Sequence, residues 1–295
     1  MTGREVVAGT WEGRSALDWQ ARWRVPQVHL YQRVGSTNDI ARRLGEAGAP
    51  AGTVVLADEQ TAGRGRHGRP WHAPAGKALL LSILLRPRFP ATEEATPGVL
   101  PLLVGLAVAR AVDEVTGATP GATPVHAGIK WPNDVVVGGR KLAGILCEGA
   151  RTGPGNAFVV VGIGVNVHQT TEDWPPDVRE RATSLRLVTG RTISRADLAT
   201  AIIQNVMRVA AGEVAAMSPE ILAELESRDV LRGRRIAVEP GPEGIASGIA
   251  RDGALLLRTD AARTIPVRAG TVRVLEHEGT ATRPSPPAKS SEHLT

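Results

Sequence analysis

The nine residues from Gly63 to Trp71, Gly-Arg-Gly-Arg-His-Gly-Arg-Pro-Trp, combine three glycines with three arginines. Glycine lets a backbone approach a ligand closely, and arginine presents planar, permanently charged donors that suit carboxylate and phosphate. Arginine–glycine segments that bind nucleic acid usually repeat within low-complexity sequence, whereas this one stands between two apolar runs. The spacing indicates a clamp for a small anionic ligand, with a plain flexible surface loop as the alternative.

An ammonium, an amide and a carboxylate come together in the block Lys130-Trp131-Pro132-Asn133-Asp134. A tight Pro-Asn turn would place these groups on one rim. Lysine neutralises phosphate oxygens, and Asn and Asp supply the oxygen ligands that a hard cation such as Mg²⁺ prefers. The block therefore suits phosphate and magnesium, while an ordinary β-turn is the alternative.

Two strand-like segments carry further polar groups. Lys141 opens the run Lys-Leu-Ala-Gly-Ile-Leu, where a partly buried ammonium could bind a carboxylate or stabilise charge on a phosphoryl group. A strand-edge lysine whose stem covers apolar surface is the alternative.

The glycines in the run from Gly162 to Asn166 do not form a dinucleotide-binding fingerprint. They indicate a strand whose backbone contacts a flat ligand, with Asn166 supplying a polar side chain that recognises that ligand.

Nucleophilic and zinc chemistry find little support in the sequence. Ser36 has no neighbouring histidine or acid, no Gly-x-Ser-x-Gly elbow is present, and no His-x-x-His or Cys-x-x-Cys pair could hold zinc. Positioning by arginine and lysine remains, which is typical of phosphoryl or nucleotidyl transfer.

Composition points to a globular protein of 295 residues with 42% hydrophobic and 22% charged residues. The one cysteine, Cys147, excludes an internal disulfide framework. No apolar run is long enough for a membrane helix, and the polar start is unlike a signal peptide, so we expect a cytoplasmic protein without membrane contact. The net charge of +5 comes from scattered arginines, which favours an ordinary basic surface over a nucleic-acid site.

Apolar periodicity predicts the elements that must position these groups. Strands are expected over 27–34, 52–58, 77–85, 128–131, 134–137, 141–147 and 157–167. Helices are expected over 99–115, 196–214 and 219–226, with another that begins at Ser36 or Thr37. Trp11, Trp19 and Trp23 indicate a short helix packed on the body.

From residue 233 onward, five short alternating runs are divided by Gly, Pro and Asp, which predicts a small β-barrel as a second domain. We expect an N-terminal extension over 1–27, a catalytic domain over 28–230, the barrel over 231–277 and a disordered tail over 278–295.

The motifs occur in an order that closely resembles biotin protein ligases. Ser36-Thr37-Asn38 comes first, then Gln60 with the glycine–arginine loop, then the blocks at 130–134, 141–146 and 162–166. The likeness covers about residues 28 to 275. It implies an α+β fold, in which a mixed sheet with flanking helices, like that of class II synthetases, precedes an SH3-like β-barrel.

The resemblance also implies a two-step reaction. The carboxylate of biotin attacks the α-phosphate of ATP, with Mg²⁺ present, to give biotinyl-5′-AMP and pyrophosphate. A lysine of a biotin carboxyl carrier protein or domain then attacks the mixed anhydride and releases AMP. The loop at 63–71 would act as a lid over biotin and its adenylate.

Carried over by position, the resemblance assigns a ligand to each motif. The residues expected to bind biotin are Ser36, Thr37, Asn38, Gln60, Gly63, Arg64, Arg66, Lys141 and Gly144. Those expected to bind ATP are Arg66, Trp71, Lys130, Asn133, Lys141 and Asn166. The expected catalytic residues are Arg66, Lys141, Asn133 and Asp134, and Asp134 is also the candidate magnesium ligand.

Three expectations complete the reading. The likeness begins too close to the N-terminus for the winged helix of bifunctional members, so we expect no DNA binding. We expect a monomer or a weak homodimer and assign no role to His67. A lipoate ligase is the nearest enzyme alternative, and a basic nucleic-acid-binding protein is the alternative from another class.

Overall fold

A computed structural model describes residues 5–86, 98–153, 157–211, 217–261 and 263–275. Its largest element is an eight-stranded mixed sheet with the order β1-β2-β3-β4-β8-β7-β6-β5. Only β2 and β3 pair in parallel; every other neighbouring pair is antiparallel. The strands are Val6–Val7 (β1), Val28–Val34 (β2), Val54–Gln60 (β3), Ala78–Leu85 (β4), Gly128–Lys130 (β5), Asp134–Val137 (β6), Arg140–Arg151 (β7) and Ala157–Asn166 (β8).

Seven α-helices accompany this sheet within the described ranges. They are Ala16–Trp23 (α1), Thr37–Glu46 (α2), Val99–Gly117 (α3), Pro176–Arg179 (α4), Leu185–Thr189 (α5), Arg195–Ala211 (α6) and Pro219–Arg228 (α7). The predicted extension of α6 to residue 214 falls outside the described residues. Among the helices that can be described, none combines the length and the apolar character needed to cross a membrane.

The two faces of the sheet are covered differently because successive strand residues point to opposite sides. Leu79, Leu81 and Ile83 of β4 belong to the main core cluster, which also contains the buried apolar side chains of α3 and α6. On the other face, a smaller cluster that includes Ile40 and Phe158 lies where α2 packs against β4 and β8. Part of this second face carries the polar residues of the motifs.

The C-terminal unit is a five-stranded antiparallel sheet with the order β12-β11-β10-β9-β13. Its strands are Arg235–Glu239 (β9), Glu243–Ile249 (β10), Leu255–Arg258 (β11), Thr264–Val267 (β12) and Thr271–Val274 (β13). The predicted α+β class is confirmed, as are the positions of the five short strands. In the described part of the chain, hydrogen bonds do not close this sheet into a barrel, since β12 and β13 do not pair. The predicted tail over 278–295 lies outside the described residues.

Three tryptophans join the N-terminal segment to the body. The ring centroids of Trp19 and Trp23 are stacked 4.6 Å apart, and those of Trp11 and Trp19 meet edge to face at 5.5 Å. Trp19 Nε1 donates to the Trp11 carbonyl at 2.9 Å, and Trp23 Nε1 donates to Thr200 Oγ1 on α6 at 2.9 Å. The predicted short helix that packs on the body is therefore present as α1.

Trp19→Ala is expected to lower the free energy of unfolding by about 3–5 kcal/mol, because it leaves a cavity in a fully packed site. Trp19 is 1% exposed, and its loss also removes one of the two donors to the Trp11 carbonyl, the other being the Arg14 backbone N–H. Urea unfolding followed by circular dichroism measures the change. Leu17→Ala on the same helix is the control, since Leu17 is 75% exposed and should change the stability little. Equal midpoints for the two variants would contradict this account of the cluster.

Candidate functional site

Strand register brings three separate motifs into one row across the sheet. Lys130 lies opposite Asp134, Asp134 opposite Gly144, and Gly144 opposite Gly164. Directly opposed residues of neighbouring strands share a face of the sheet. The row therefore places an ammonium and a carboxylate beside two positions without side chains.

The space above the two glycines is occupied by the indole of Trp71. A Cβ atom on Gly164 would lie 2.7 Å from Trp71 Cε2, and one on Gly144 would lie 3.2 Å from Trp71 Cζ3. We call these two positions the glycine platform. The Trp71 Nε1 atom is buried there and has no hydrogen-bond partner among the residues that the structure describes. The last residue of the glycine–arginine loop thus lays a flat ring on this strand backbone. The predicted contact of a flat ligand there stays a prediction.

The loop forms a hairpin whose two arms are hydrogen-bonded to each other. The backbone N–H of Trp71 donates to the Gly63 carbonyl at 2.9 Å, and that of Gly65 donates to the Arg69 carbonyl at 2.7 Å. His67 adopts the left-handed region at the tip, with a φ of 56°. This conformation is uncommon without glycine but is enriched for histidine. His67, which has no predicted role, therefore turns the loop tip.

Lys141 and Lys130 supply charge beside the platform. Lys141 Nζ lies 2.6 Å from Asp134 Oδ1 and 5.7 Å from the centroid of the Trp71 ring. Burial lowers the pKa of Lys130, and the negative charge of Asp134 opposes that shift. The carboxylate thus holds the Lys141 ammonium at the platform.

Arg66 reaches the same region from the loop. Its Nη1 atom donates to Asn133 Oδ1 at 3.4 Å, and its Nη2 atom donates to the Gly270 carbonyl of the C-terminal sheet at 3.2 Å. Burial lowers the pKa of Arg66, but a guanidinium remains charged at neutral pH. Arg66, Lys130 and Lys141 face Asp134, so two positive charges are in excess. Such a set binds anions.

Uncharged hydrogen-bonding groups form a second part of the site around the start of α2. Gln60 Oε1 accepts from the backbone N–H of Thr37 at 2.7 Å and lies 2.9 Å from Thr37 Oγ1. Ser82 Oγ lies 2.8 Å from Thr37 Oγ1 and 2.6 Å from Asn38 Oδ1. Ser36 is buried beside them, at the N-cap of α2. Sequence reasoning missed Ser82, whose signal is a single polar residue in the otherwise apolar strand β4.

Room for Asn38 comes from the sheet. A Cβ atom on Gly162 would lie 2.3 Å from Asn38 Oδ1, so only glycine fits there. Asn38 Nδ2 donates to Glu148 Oε2 at 2.6 Å. Asn38 therefore lies against Gly162, which is two residues from the platform glycine Gly164 on β8, so the polar pocket adjoins the platform.

Arg64 is held by two carboxylates that the sequence reasoning also missed. Its Nη2 atom lies 2.7 Å from Asp39 Oδ1 and 3.3 Å from Glu148 Oε2. Asp39 directly follows the Ser-Thr-Asn motif, and Glu148 is the acidic residue of the largely apolar strand β7. In the sequence, these positions are the features that could have marked both residues as part of the site.

Asn166 lies at the end of β8, two residues beyond Gly164. Its Nδ2 atom donates to the Thr183 carbonyl at 3.0 Å, and its Oδ1 atom accepts from Gln169 Nε2 at 2.9 Å. Asn166 is buried and ties the segment before α5 to the sheet. Its predicted contact with adenine stays a prediction.

Comparison with known proteins shows the family to which the chain belongs. The model of the biotin/lipoate A/B protein ligase family matches residues 30–166. A biotin--[acetyl-CoA-carboxylase] ligase of Mycobacterium tuberculosis is 37% identical over 92% of this chain and 98% of its own length. The bifunctional ligase/repressor BirA of Bacillus spizizenii is 38% identical over 60% of this chain. This match spans about half of the BirA length, 51%.

Solved structures are similar over most of the chain. A biotin protein ligase from Aquifex aeolicus in complex with biotin and ATP has a TM-score of 0.67 and 28% identity, and the match covers 85% of this chain and 99% of that one. A biotin protein ligase from Leishmania major in complex with biotinyl-5-AMP has a TM-score of 0.56 and 27% identity, with 85% and 99% coverage. Because a relative of 37% identity is matched over 98% of its length, the chain belongs to the biotin/lipoate A/B protein ligase family.

Proposed function

We propose that this protein is a biotin protein ligase that activates biotin with ATP and transfers it to a lysine of a biotin carboxyl carrier domain. One observation carries the proposal: an uncharged hydrogen-bonding pocket and a cluster with excess positive charge share one sheet face beside the glycine platform. Biotin has a neutral ureido head and an anionic tail, so it needs both parts. The names of the similar proteins support the same activity.

The pocket at the start of α2 would take the ureido head. Ser36, Thr37, Asn38 and Gln60 supply donors and acceptors there, and the Gly63 backbone lies close to Gln60. The valeryl chain would run along β7 beside Gly144 and the Trp71 indole toward Lys141. This orientation brings the biotin carboxylate to the cluster of cations.

At that cluster, a carboxylate oxygen attacks the α-phosphate of ATP and the bond to pyrophosphate breaks. Lys141 and Arg66 neutralise charge on the carboxylate and on the phosphoryl group as the new bond forms, which is the main catalytic contribution available in this site. Lys130 and Asn133 would hold the phosphates, while Trp71 would cover the adenylate. Asn166 would contact the adenine.

Magnesium fits this site only as a companion of ATP. The described residues include no group of three or more His, Cys, Asp or Glu side chains that could hold a metal, and Asp134 already pairs with Lys141. Mg²⁺ commonly takes its ligands from phosphates and water with one or two carboxylates. Asp134 would be the protein ligand in that arrangement.

In the second step, the carrier lysine attacks the acyl carbon of the anhydride and AMP leaves. Asn133 and Asp134 would contact that amine as it arrives. We place the reaction in the cytoplasm and expect a monomer or a weak homodimer. DNA binding is not part of the proposal.

The test is pyrophosphate release from ATP and Mg²⁺ with biotin or lipoate as the second substrate. We expect release with biotin and none above background with lipoate. Release with lipoate alone would make the protein a lipoate ligase. The nucleic-acid alternative predicts sequence-independent binding that falls steeply with salt, and such binding without pyrophosphate release would overturn the proposal.

A further inference from the structure

We propose that Asp39 and Glu148 are positioning residues whose ion pairs with Arg64 hold the loop at 63–71 closed over the pocket. We call these ion pairs the grip. The kinetic part of this inference rests on the proposed function. Its structural part does not, because the ion pairs join side chains of the protein alone. Neither carboxylate has a role in the chemistry described above.

The grip joins three elements that are distant in sequence. Arg64 Nη2 lies 2.7 Å from Asp39 Oδ1 on α2 and 3.3 Å from both carboxylate oxygens of Glu148 on β7. Arg64 and Glu148 are largely withdrawn from solvent, with side-chain exposures of 30% and 27%. Two negative charges thus surround one guanidinium. This local excess of negative charge disfavours a substrate anion at Arg64, so its part in the site is to fasten the loop.

Glu148 contacts both the loop and the polar pocket at the start of α2. A carboxylate only accepts hydrogen bonds, so the Asn38 amide must turn its Nδ2 atom toward Glu148, at 2.6 Å. Asn38 Oδ1 then faces Ser82, whose hydroxyl donates to it at 2.6 Å. Ser82 in turn contacts Thr37 Oγ1. One carboxylate therefore fixes both Arg64 of the loop and the orientation of a pocket amide.

The hairpin has an anchor on each arm. Arg64 and Pro70 form a backbone bridge, and the Trp71 N–H binds the Gly63 carbonyl. Trp71 rests on the glycine platform, while Arg64 is held at the start of α2. The two arms are hydrogen-bonded to each other. Loss of the Arg64 ion pairs would therefore free the first arm and leave the contact of Trp71 with the glycine platform to hold the hairpin.

The first test uses proteolysis and needs no substrate. Trypsin cleaves after arginine, and a released loop exposes Arg64 and Arg66. We expect Asp39→Asn and Glu148→Gln to speed cleavage within the loop about fivefold each, the effect of losing one partly exposed ion pair. Asp39→Glu should retain slow cleavage. The matched control is Asp260→Asn, which removes the partner of Arg235 on the C-terminal sheet. Wild-type cleavage in both loop variants overturns the grip.

The second test measures ligand retention. With biotin and ATP, both variants should raise the KM for biotin and release biotinyl-5′-AMP about fivefold faster, while kcat for adenylate formation stays within twofold. A general structural defect would lower kcat and the unfolding midpoint together, and that result would refute the positioning role. If the wild type makes no adenylate from biotin, the proposed function fails, and the proteolysis result still decides whether the grip exists.

Discussion

Lys141→Met is expected to lower the rate of adenylate formation by about 100- to 1000-fold, the effect of removing one preorganised charge from the reacting centre. Lys141 Nζ is held 2.6 Å from Asp134 and beside the glycine platform, where the biotin carboxylate and the α-phosphate would meet. Two anions approach each other in this step, and methionine keeps the length of the side chain without its charge. Rapid-quench measurement of pyrophosphate at saturating biotin and ATP gives the rate.

A control variant tests whether the effect depends on the charge of Lys141 at the site or follows from the loss of any paired lysine. Lys77 Nζ is also paired with a carboxylate, Asp173, at 2.6 Å, but no role in the reaction is assigned to it. Lys77→Met should keep adenylate formation within a fewfold of the wild type. If Lys141→Met forms adenylate at the rate of Lys77→Met, then Lys141 does not act on the reacting groups.

Gly164→Val should lower kcat/KM for ATP by about 100-fold, because displacement by an ångström at a reacting centre has effects of that size. Even a single Cβ atom at Gly164 would lie 2.7 Å from the Trp71 ring, and the ring would have to leave the platform. Initial rates of pyrophosphate release across ATP concentrations measure the effect, and the fold should persist because valine suits a strand.

Gly105→Ala is the control for this substitution. Gly105 lies in α3 on the opposite side of the sheet, and a Cβ atom there would meet its nearest neighbour, Ile129 Cδ1, at an ordinary 3.5 Å. Alanine also has the higher helix propensity. We expect unchanged kinetics and equal or greater stability. Wild-type kinetics in Gly164→Val would show that the platform takes no part in catalysis.

Much of the fold is encoded in local patterns. The apolar run over 77–85 predicts a buried strand, and the periodicity over 99–115 predicts a long helix; both are present, as Ala78–Leu85 and Val99–Gly117. Short alternating runs after residue 233 predict the C-terminal strands correctly. Such features depend on neighbours in the chain, so spacing alone reveals them. The motifs in order also indicated the family, which the comparisons show.

Only the tertiary structure decided how these pieces meet. The row from Lys130 through Asp134 and Gly144 to Gly164 depends on strand register, which a one-residue slip would destroy. Ser82 and Glu148 lie in apolar strands and gain their parts in the site from partners more than forty positions away. Arg66 reaches the Gly270 carbonyl across 204 positions. These contacts arise from packing between distant segments, and no local pattern of residue types contains them.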